Sequence, residues 1–149
     1  MKTFVRPLLL ALVAAFAFAC VACADRSTPI EVKQLPAAAR QLLTAHFKTA
    51  KVALATKERD GMGWAYEVTF SNGDQIEFDK KGQWIDLDCK RTRVPSALVP
   101  ATISRYISAN YSGAQVAELS RDKRGYGVRL SNGLELEFDS KGRLTDIDH

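Results

Sequence analysis

The sequence predicts an α+β protein made by tandem duplication of a unit that contains one helix and four antiparallel strands. Three observations predict it: a block of residues recurs along the chain, an amphipathic helical pattern precedes each copy, and apolar and polar residues alternate within each copy. The 149 residues are enough for one compact domain, and their 46% apolar and 26% charged content is that of an ordinary globular protein.

The recurrence is strongest between residues 68–88 and 128–148, which align without a gap. Eleven of these 21 aligned positions are identical, which is more than chance similarity explains. The identical positions are Val68, Ser71, Asn72, Gly73, Glu77, Phe78, Asp79, Lys81, Gly82, Asp86 and Asp88. We therefore expect a first repeat over residues 25–90 and a second over residues 91–149, both within one compact domain.

Each repeat is predicted to begin with a helix of about 12 residues. Pro36 suits the first helical position, where the N–H that proline lacks is not needed. Apolar residues then recur at spacings of three and four, and they are Leu42, Leu43 and Phe47 in the first repeat and Ile103, Tyr106, Ile107 and Tyr111 in the second. A helix this short with one apolar stripe is marginal alone, so it must pack on another element, here a sheet.

Alternating apolar residues predict the strands and their inward-facing side chains. In the first repeat the inward set is Trp64, Tyr66, Val68, Phe70, Ile76, Phe78, Ile85 and Leu87. In the second repeat it is Tyr126, Val128, Leu130, Leu134, Leu136, Phe138 and Ile147. Residues 71–74 (Ser-Asn-Gly-Asp) predict a tight hairpin because Asn-Gly tolerates positive φ, and residues 79–82 predict the next turn.

The outward-facing positions are mostly acidic. In the first repeat they are Glu67, Thr69, Gln75, Glu77, Asp79, Trp84, Asp86 and Asp88. In the second repeat they are Arg129, Ser131, Glu135, Glu137, Asp139, Leu144, Asp146 and Asp148. We expect the helices to cover one face of the sheet and this polar face to stay open to solvent. The two four-stranded units can join edge to edge into one eight-stranded sheet, in which two otherwise exposed edge strands are paired.

Residues 1–24 are predicted to be a signal peptide. Lys2 and Arg6 precede an uncharged apolar run of 11 residues, 8–18, which as a helix would rise only about 16 Å and is too short to span a bilayer. Small residues follow, and Ala22-Cys23-Ala24 fits a signal-peptidase site before Asp25. The mature protein is therefore expected to be periplasmic or secreted.

Two cysteines leave a second route of processing open. Cys20 and Cys23 each loosely resemble a bacterial lipoprotein site, at which the cysteine becomes the lipidated first residue and anchors the protein to the envelope. After ordinary cleavage only Cys89 remains, so no internal disulfide is expected. No histidine lies near Cys89 in sequence, which favours a partly buried, unreactive thiol.

The repeats resemble the PepSY-like, β-lactamase-inhibitor-like family of small exported bacterial proteins. The resemblance lies in the helical residues of the second repeat, in the Ser-Asn-Gly turn of residues 131–133, in Glu-Phe-Asp at 137–139, in Gly142, and in Asp146-x-Asp148. The first repeat carries the same set in slightly degraded form. This resemblance implies a duplicated helix-plus-four-strand fold with no known catalytic residues. It also implies binding to a partner protein across the sheet.

Neither catalysis nor nucleic-acid binding is indicated. The chain has no nucleophile elbow, no zinc-protease helix and no phosphate loop, and its two histidines are His46, near a helix end, and His149. Without residues 1–24, which carry two cations and no acid, the formal net charge falls from +4 to +2. That net charge is too small for a clustered basic face, so no nucleic-acid partner is expected. Because the catalytic motifs are missing, no catalytic residue is expected, and no cofactor is expected either.

A calcium site is a weaker possibility. Glu77, Asp79, Asp86 and Asp88 cluster near two turns, and carboxylate oxygens are ligands for Ca²⁺. The alternative is that Asp-x-x-Gly is only a turn, since Asp bonds its own backbone and Gly supplies positive φ. No spacing matches the 12-residue calcium loop, so no metal ligand is assigned.

The favoured hypothesis is a non-catalytic binding module whose open acidic face binds a protein or peptide with a basic surface, as in an inhibitor of an envelope enzyme. Its predicted partner-binding residues are Glu67, Glu77, Trp84, Asp86, Glu135, Glu137 and Asp146. Trp84 is the candidate aromatic anchor, or else it covers a strand end or the junction of the repeats. The loop 59–63, longer than its counterpart, is a second candidate surface, and a small-ligand or Ca²⁺ sensor is the alternative function.

Overall fold

The computed structural model describes residues 27–60 and 63–148. The predicted signal peptide, its cleavage site before Asp25 and the lipidation alternatives at Cys20 and Cys23 lie outside these residues, as does His149. Within the described residues, two α-helices and nine strands follow one another along the chain, and a short 3-10 helix precedes each α-helix.

Each helix is followed by four strands, and one further strand precedes the first helix. The strands are β1 (Ser27–Ile30), β2 (Val52–Asp60), β3 (Gly63–Phe70), β4 (Gln75–Phe78), β5 (Trp84–Asp88), β6 (Val116–Arg121), β7 (Gly125–Leu130), β8 (Glu135–Asp139) and β9 (Leu144–Asp148). The helices are α1 (Ala37–His46) and α2 (Ala101–Asn110). All nine strands form one antiparallel sheet in which spatial order equals chain order.

Both helices begin directly after a proline in extended conformation, so Pro36 lies one position before its predicted place. The buried helix residues Ala39, Leu43, Ile103 and Ile107 belong to the same core cluster as the buried residues of the sheet. Aromatic rings join helix segments to strands: Phe47 stacks on Phe70 with ring centroids 5.3 Å apart, and Tyr106 meets Phe138 edge-on at 5.6 Å.

The register of the strands places one apolar residue from every strand in a continuous line, which we call the apolar row. It consists of Ile30, Ala55, Val68, Ile76, Leu87, Leu119, Val128, Leu136 and Ile147. Directly paired residues lie on the same face of a sheet, so this row defines the core face across all nine strands. Seven of its members are buried, and the two exceptions, Ile30 and Ile147, lie on the edge strands.

The predicted outward orientation of Trp84 is wrong, because Trp84 faces the core and is 8% exposed. Glu77 pairs with Asp86, but the next residue, Phe78, pairs with Trp84, so Ile85 is an extra residue that forms a β-bulge. The bulge reverses the alternation at this point. A second bulge at Thr145 turns Leu144 inward to pair with Phe138 in the same way.

Two further expectations about strands need correction. The sheet has nine strands rather than eight, because residues 27–30 add an edge strand along β2. Pro29 lies within it, as is acceptable on an edge where a strand has only one neighbour. Trp64 was expected in the core but is 43% exposed, and the Lys57 ammonium lies 4.1 Å from its ring centroid.

The glycine of the first Asp-x-x-Gly turn contacts the start of α1. Gly82 has φ of 80°, and a Cβ placed there would lie 2.7 Å from the Pro36 Cβ and 2.9 Å from the Ala39 nitrogen. Gly73, in the preceding hairpin, has φ of 94°, but a Cβ there would meet nothing within 4 Å. Alanine substitutions at the two positions therefore distinguish two free-energy costs. Both would include the cost of a side chain at positive φ, but only the one at Gly82 would include the cost of displacing α1.

We expect Gly82→Ala to lower the free energy of unfolding by about 2–3 kcal/mol and Gly73→Ala by only about 1 kcal/mol. Both substitutions place a Cβ at positive φ, but only the first forces α1 away from the turn. Urea denaturation of the two variants measures the difference. Equal losses would mean that the contact between this turn and α1 adds nothing to stability.

Candidate functional site

The face opposite the apolar row carries a second continuous line of paired residues, which we call the acidic row. It consists of Glu67, Glu77, Asp86, Ser120, Gly127, Glu137 and Asp146, one from each of strands β3 to β9. None of the seven is a lysine or arginine. Five of the seven predicted partner-binding residues thus lie in one line across the sheet.

The carboxylates of the acidic row form two groups. Glu67, Glu77 and Asp86 are direct neighbours on β3, β4 and β5, while Glu137 and Asp146 are direct neighbours on β8 and β9. Three strand spacings of about 4.8 Å separate the groups, so they are roughly 14 Å apart. Like charges directly opposite each other on neighbouring strands destabilise a sheet.

The adjacent line of paired residues on the same face contains ion pairs and is called the paired row: Asp88, Glu118, Arg129 and Glu135. Lys90 Nζ lies 3.0 Å from Asp88 Oδ2 and 2.9 Å from Glu118 Oε1. Arg129 forms ion pairs with Glu118, at 3.2 Å, and with Glu135. The predicted site residue Glu135 therefore belongs to this ion-paired network and not to the acidic row.

The same network raises the pKa of Lys90, chiefly through its hydrogen bond to Glu118 and then through that to Asp88. Lys90 is thus held in its charged form next to the two carboxylates. The paired row presents ion pairs with Lys90 and Arg129, whereas the acidic row contains no lysine or arginine among its own members.

The aspartates of the two Asp-x-x-Gly turns serve the backbone, as the turn alternative predicted. Asp79 Oδ1 accepts hydrogen bonds from the N–H groups of Lys81 and Gln83 at 2.8 and 2.9 Å. Asp139 Oδ1 accepts equivalent bonds at 2.9 Å from two backbone N–H groups, of which the bond from Arg143 contributes most to lowering the Asp139 pKa. Across residues 27–60 and 63–148, no group of three or more His, Cys, Asp or Glu side chains is placed to hold a metal ion.

The longer loop also differs from its prediction. Arg59 and Asp60 end β2 and pair with Trp64 and Gly63 of β3, so only residues 61 and 62 lie between the strands, and these are outside the described residues. Most of the segment predicted as a loop is therefore an extension of a hairpin.

A buried aspartate that sequence reasoning missed holds two turns together. Asp74 is 3% exposed and accepts hydrogen bonds from the Thr92 hydroxyl at 2.7 Å and from the Arg91 N–H at 3.0 Å. Cys89 lies nearby, fully buried, and burial raises the pKa of its thiol to about 12. Its thiol is consequently neutral at physiological pH, in agreement with an unreactive cysteine.

A family model described as "Putative beta-lactamase-inhibitor-like, PepSY-like" matches residues 64–146, which is more than half of the chain. The chain belongs to the PepSY-like family. This match confirms the family resemblance that the sequence motifs indicated. A comparison with curated proteins finds no match.

Three solved structures of Bacteroides proteins share this PepSY-like fold. A "putative calcium-regulated periplasmic protein" of Bacteroides thetaiotaomicron is 50% identical, with a TM-score of 0.82 over 85% of this chain and 99% of its own. A "putative periplasmic protein" of the DUF2874 family from Bacteroides vulgatus is 45% identical, with a TM-score of 0.82 over 85% and 99%. A "putative periplasmic protein of unknown function" from Bacteroides vulgatus is 37% identical, with a TM-score of 0.78 over 83% of this chain and 99% of its own.

In the part of this PepSY-like chain that the structure describes, no helix has the length and apolar character needed to cross a membrane.

Proposed function

We propose that the protein is an exported, non-catalytic binding module of the periplasm or cell envelope whose acidic row binds a protein or peptide with a basic surface. Three similar structures belong to proteins described as periplasmic, which supports export. The family's description as inhibitor-like supports a protein partner and suggests that an envelope enzyme is the target.

The observation that carries this proposal is the register that brings Glu67, Glu77 and Asp86 side by side. A sheet gains no stability from three like charges in adjacent positions, so folding alone does not account for them. A basic partner would relieve their mutual repulsion on binding. The acids of the paired row already form ion pairs with Lys90 and Arg129, so a basic partner would gain less there.

The composition of the acidic row also predicts the character of the interaction. It contains no aromatic side chain, and Trp84 lies on the other face. Complexes held mainly by exposed charges depend on electrostatic attraction during encounter, which salt screens. The partner should therefore bind with a fast, strongly salt-dependent association rate and without a single dominant anchor residue.

The test compares the double variant Glu67→Gln/Glu77→Gln with Glu31→Gln, which neutralises an exposed acid outside the sheet. After affinity capture of the partner from envelope extract, association and dissociation rates are measured at several salt concentrations. We expect the double variant to associate about tenfold more slowly at low salt, to approach the parent at high salt, and to dissociate at a similar rate. The Glu31 variant should match the parent throughout. Equal association rates for the parent and the double variant would exclude the acidic row as the binding surface.

A calcium- or small-ligand-sensing module is the second candidate, favoured by the relative described as calcium-regulated. Ca²⁺ binds carboxylate oxygens, so the ion and a basic partner would compete for the same row. Thermal unfolding of the parent with and without Ca²⁺ separates the two functions. Stabilisation by Ca²⁺ that is lost in the double variant would favour the sensor.

We infer that the chain arose by tandem duplication, and such a duplication supports the same proposal. Both units run from a proline-initiated helix through four strands, and both place a bulge in the last strand. A tandem duplication with helices on one face of the sheet leaves the other face of both repeats available to one extended partner.

A further inference from the structure

A groove on the core side of the sheet lies between the segment that leads into α2 and the adjoining ends of β5, β6 and β7. Its volume is about 590 Å³, within the range of small-molecule sites. Its lining includes Trp84, Leu98, Val99, Pro100, Arg121 and Tyr126. Because Trp84 pairs with Phe78 and Arg121 with Tyr126, the groove opens on the face opposite the acidic row.

Among the residues that the structure describes, Arg121 is the only charged one that lines this groove. The Arg121 guanidinium lies 4.2 Å from the ring centroid of Trp84, and its Nε donates a hydrogen bond of 2.6 Å to the Trp84 carbonyl. These two contacts fix the guanidinium and leave its terminal nitrogens for another acceptor. Within residues 27–60 and 63–148, no carboxylate lies within ion-pair distance of Arg121.

The remaining walls suit an uncharged, apolar body. Leu98, Val99 and Tyr126 provide apolar and aromatic surface, and Ser96 and Ser104 provide hydroxyl groups. The N-terminus of α2 borders the groove at Pro100 and Ala101 and has no side-chain cap. Its partial positive charge adds to that of Arg121.

We propose that this groove binds a small organic molecule that carries one carboxylate on an apolar body. Arg121 would receive the carboxylate through its two terminal nitrogens, and the side chains of Leu98 and Tyr126 would contact the body. A single guanidinium without a lysine in the lining matches a monoanion better than a dianionic phosphate ester. The site lies on the other face from the acidic row, so it goes beyond the proposed partner-binding function and its test is independent.

The test uses the full chain with the substitution Trp64→Phe. The sequence contains two tryptophans, so this variant keeps only Trp84. Phenylacetate and its uncharged analogue phenylacetamide are titrated while Trp84 fluorescence is recorded. We expect phenylacetate to change the Trp84 fluorescence in a saturable way. The amide should bind at least tenfold more weakly, because it offers Arg121 an uncharged acceptor in place of a carboxylate. Arg121→Gln in this background should abolish the preference for the acid.

A second variant keeps the proposal testable if Arg121→Gln impairs folding. Ala97→Glu places a carboxylate at the groove edge and should weaken phenylacetate binding by competing for Arg121. Ala109→Glu makes the same change on an exposed part of α2 outside the lining and should leave binding unchanged.

Three outcomes would overturn the proposal. They are the absence of saturable binding, equal affinity for the acid and the amide, and tighter binding of a tripeptide ending in a free phenylalanine carboxylate. The last outcome would assign the groove to peptide C-termini rather than small acids.

Discussion

Replacement of Phe78 or Phe138 by alanine is expected to lower the free energy of unfolding by about 3–5 kcal/mol. The two residues occupy equivalent places in β4 and β8, and they are 0% and 3% exposed. Phe138 also packs edge-on against Tyr106 of α2, so its loss removes a contact between helix and sheet. Chemical denaturation monitored by circular dichroism measures both changes.

The matched controls are the preceding residues on the opposite face. Glu77→Ala and Glu137→Ala remove exposed side chains and should change the free energy of unfolding by no more than about 0.5 kcal/mol. If the glutamate variants were less stable than the phenylalanine variants, the assignment of core face and open face would be reversed.

Trp84→Ala is expected to lower the free energy of unfolding by a similar amount, about 3–5 kcal/mol, since it empties a buried aromatic site. It also removes the ring on which the Arg121 guanidinium lies. Trp64→Ala is the control, because Trp64 is 43% exposed and its loss removes mainly the contact with Lys57. That contact is worth about 0.5–1 kcal/mol at an exposed position. Equal losses for the two tryptophans in denaturation experiments would contradict the bulge that turns Trp84 inward.

A conservative variant separates the structural role of Trp84 from the anchor role that the sequence predicted. Trp84→Phe keeps an aromatic ring in the core and should leave binding of a basic partner to the acidic row unchanged. A loss of partner affinity in this variant, with an unchanged unfolding transition, would restore Trp84 as a binding residue.

Period-two alternation located most of the core because it reflects the pleat of each strand. Val68, Ile76 and Leu136 were predicted inward and are buried. The method fails at a bulge, where one inserted residue puts the positions on its two sides out of phase, so Trp84 before the bulge is reversed while Asp86 after it is not. A signal was present nonetheless: Trp84 and Leu144 put large apolar residues at the same nominally outward position of both repeats.

The candidate sites were predictable to different degrees. The alternation of apolar and polar residues placed Glu67 and Glu77 on the open face. That the two residues are direct neighbours depends on the register of β3 and β4, which the hairpin turn between them fixes. Arg121 was missed because it opens the charged run Arg121–Arg124, and nothing in sequence distinguishes its two arginines. Only the pairing of β6 with β7 and the stacking on Trp84 show that Arg121 lines a groove while Arg124 is exposed.

The agreement between spatial strand order and chain order has a consequence for how the protein is made. Each strand pairs only with the strands immediately before and after it, so no strand must wait for a distant partner. Such local pairing shortens the loops that must close during folding and favours fast assembly. A chain that leaves a ribosome or a translocation pore N-terminus first can therefore add one strand at a time to a growing sheet. The outer edge of β1 and the most recently added edge are then the two edges open to misassembly in the described sheet.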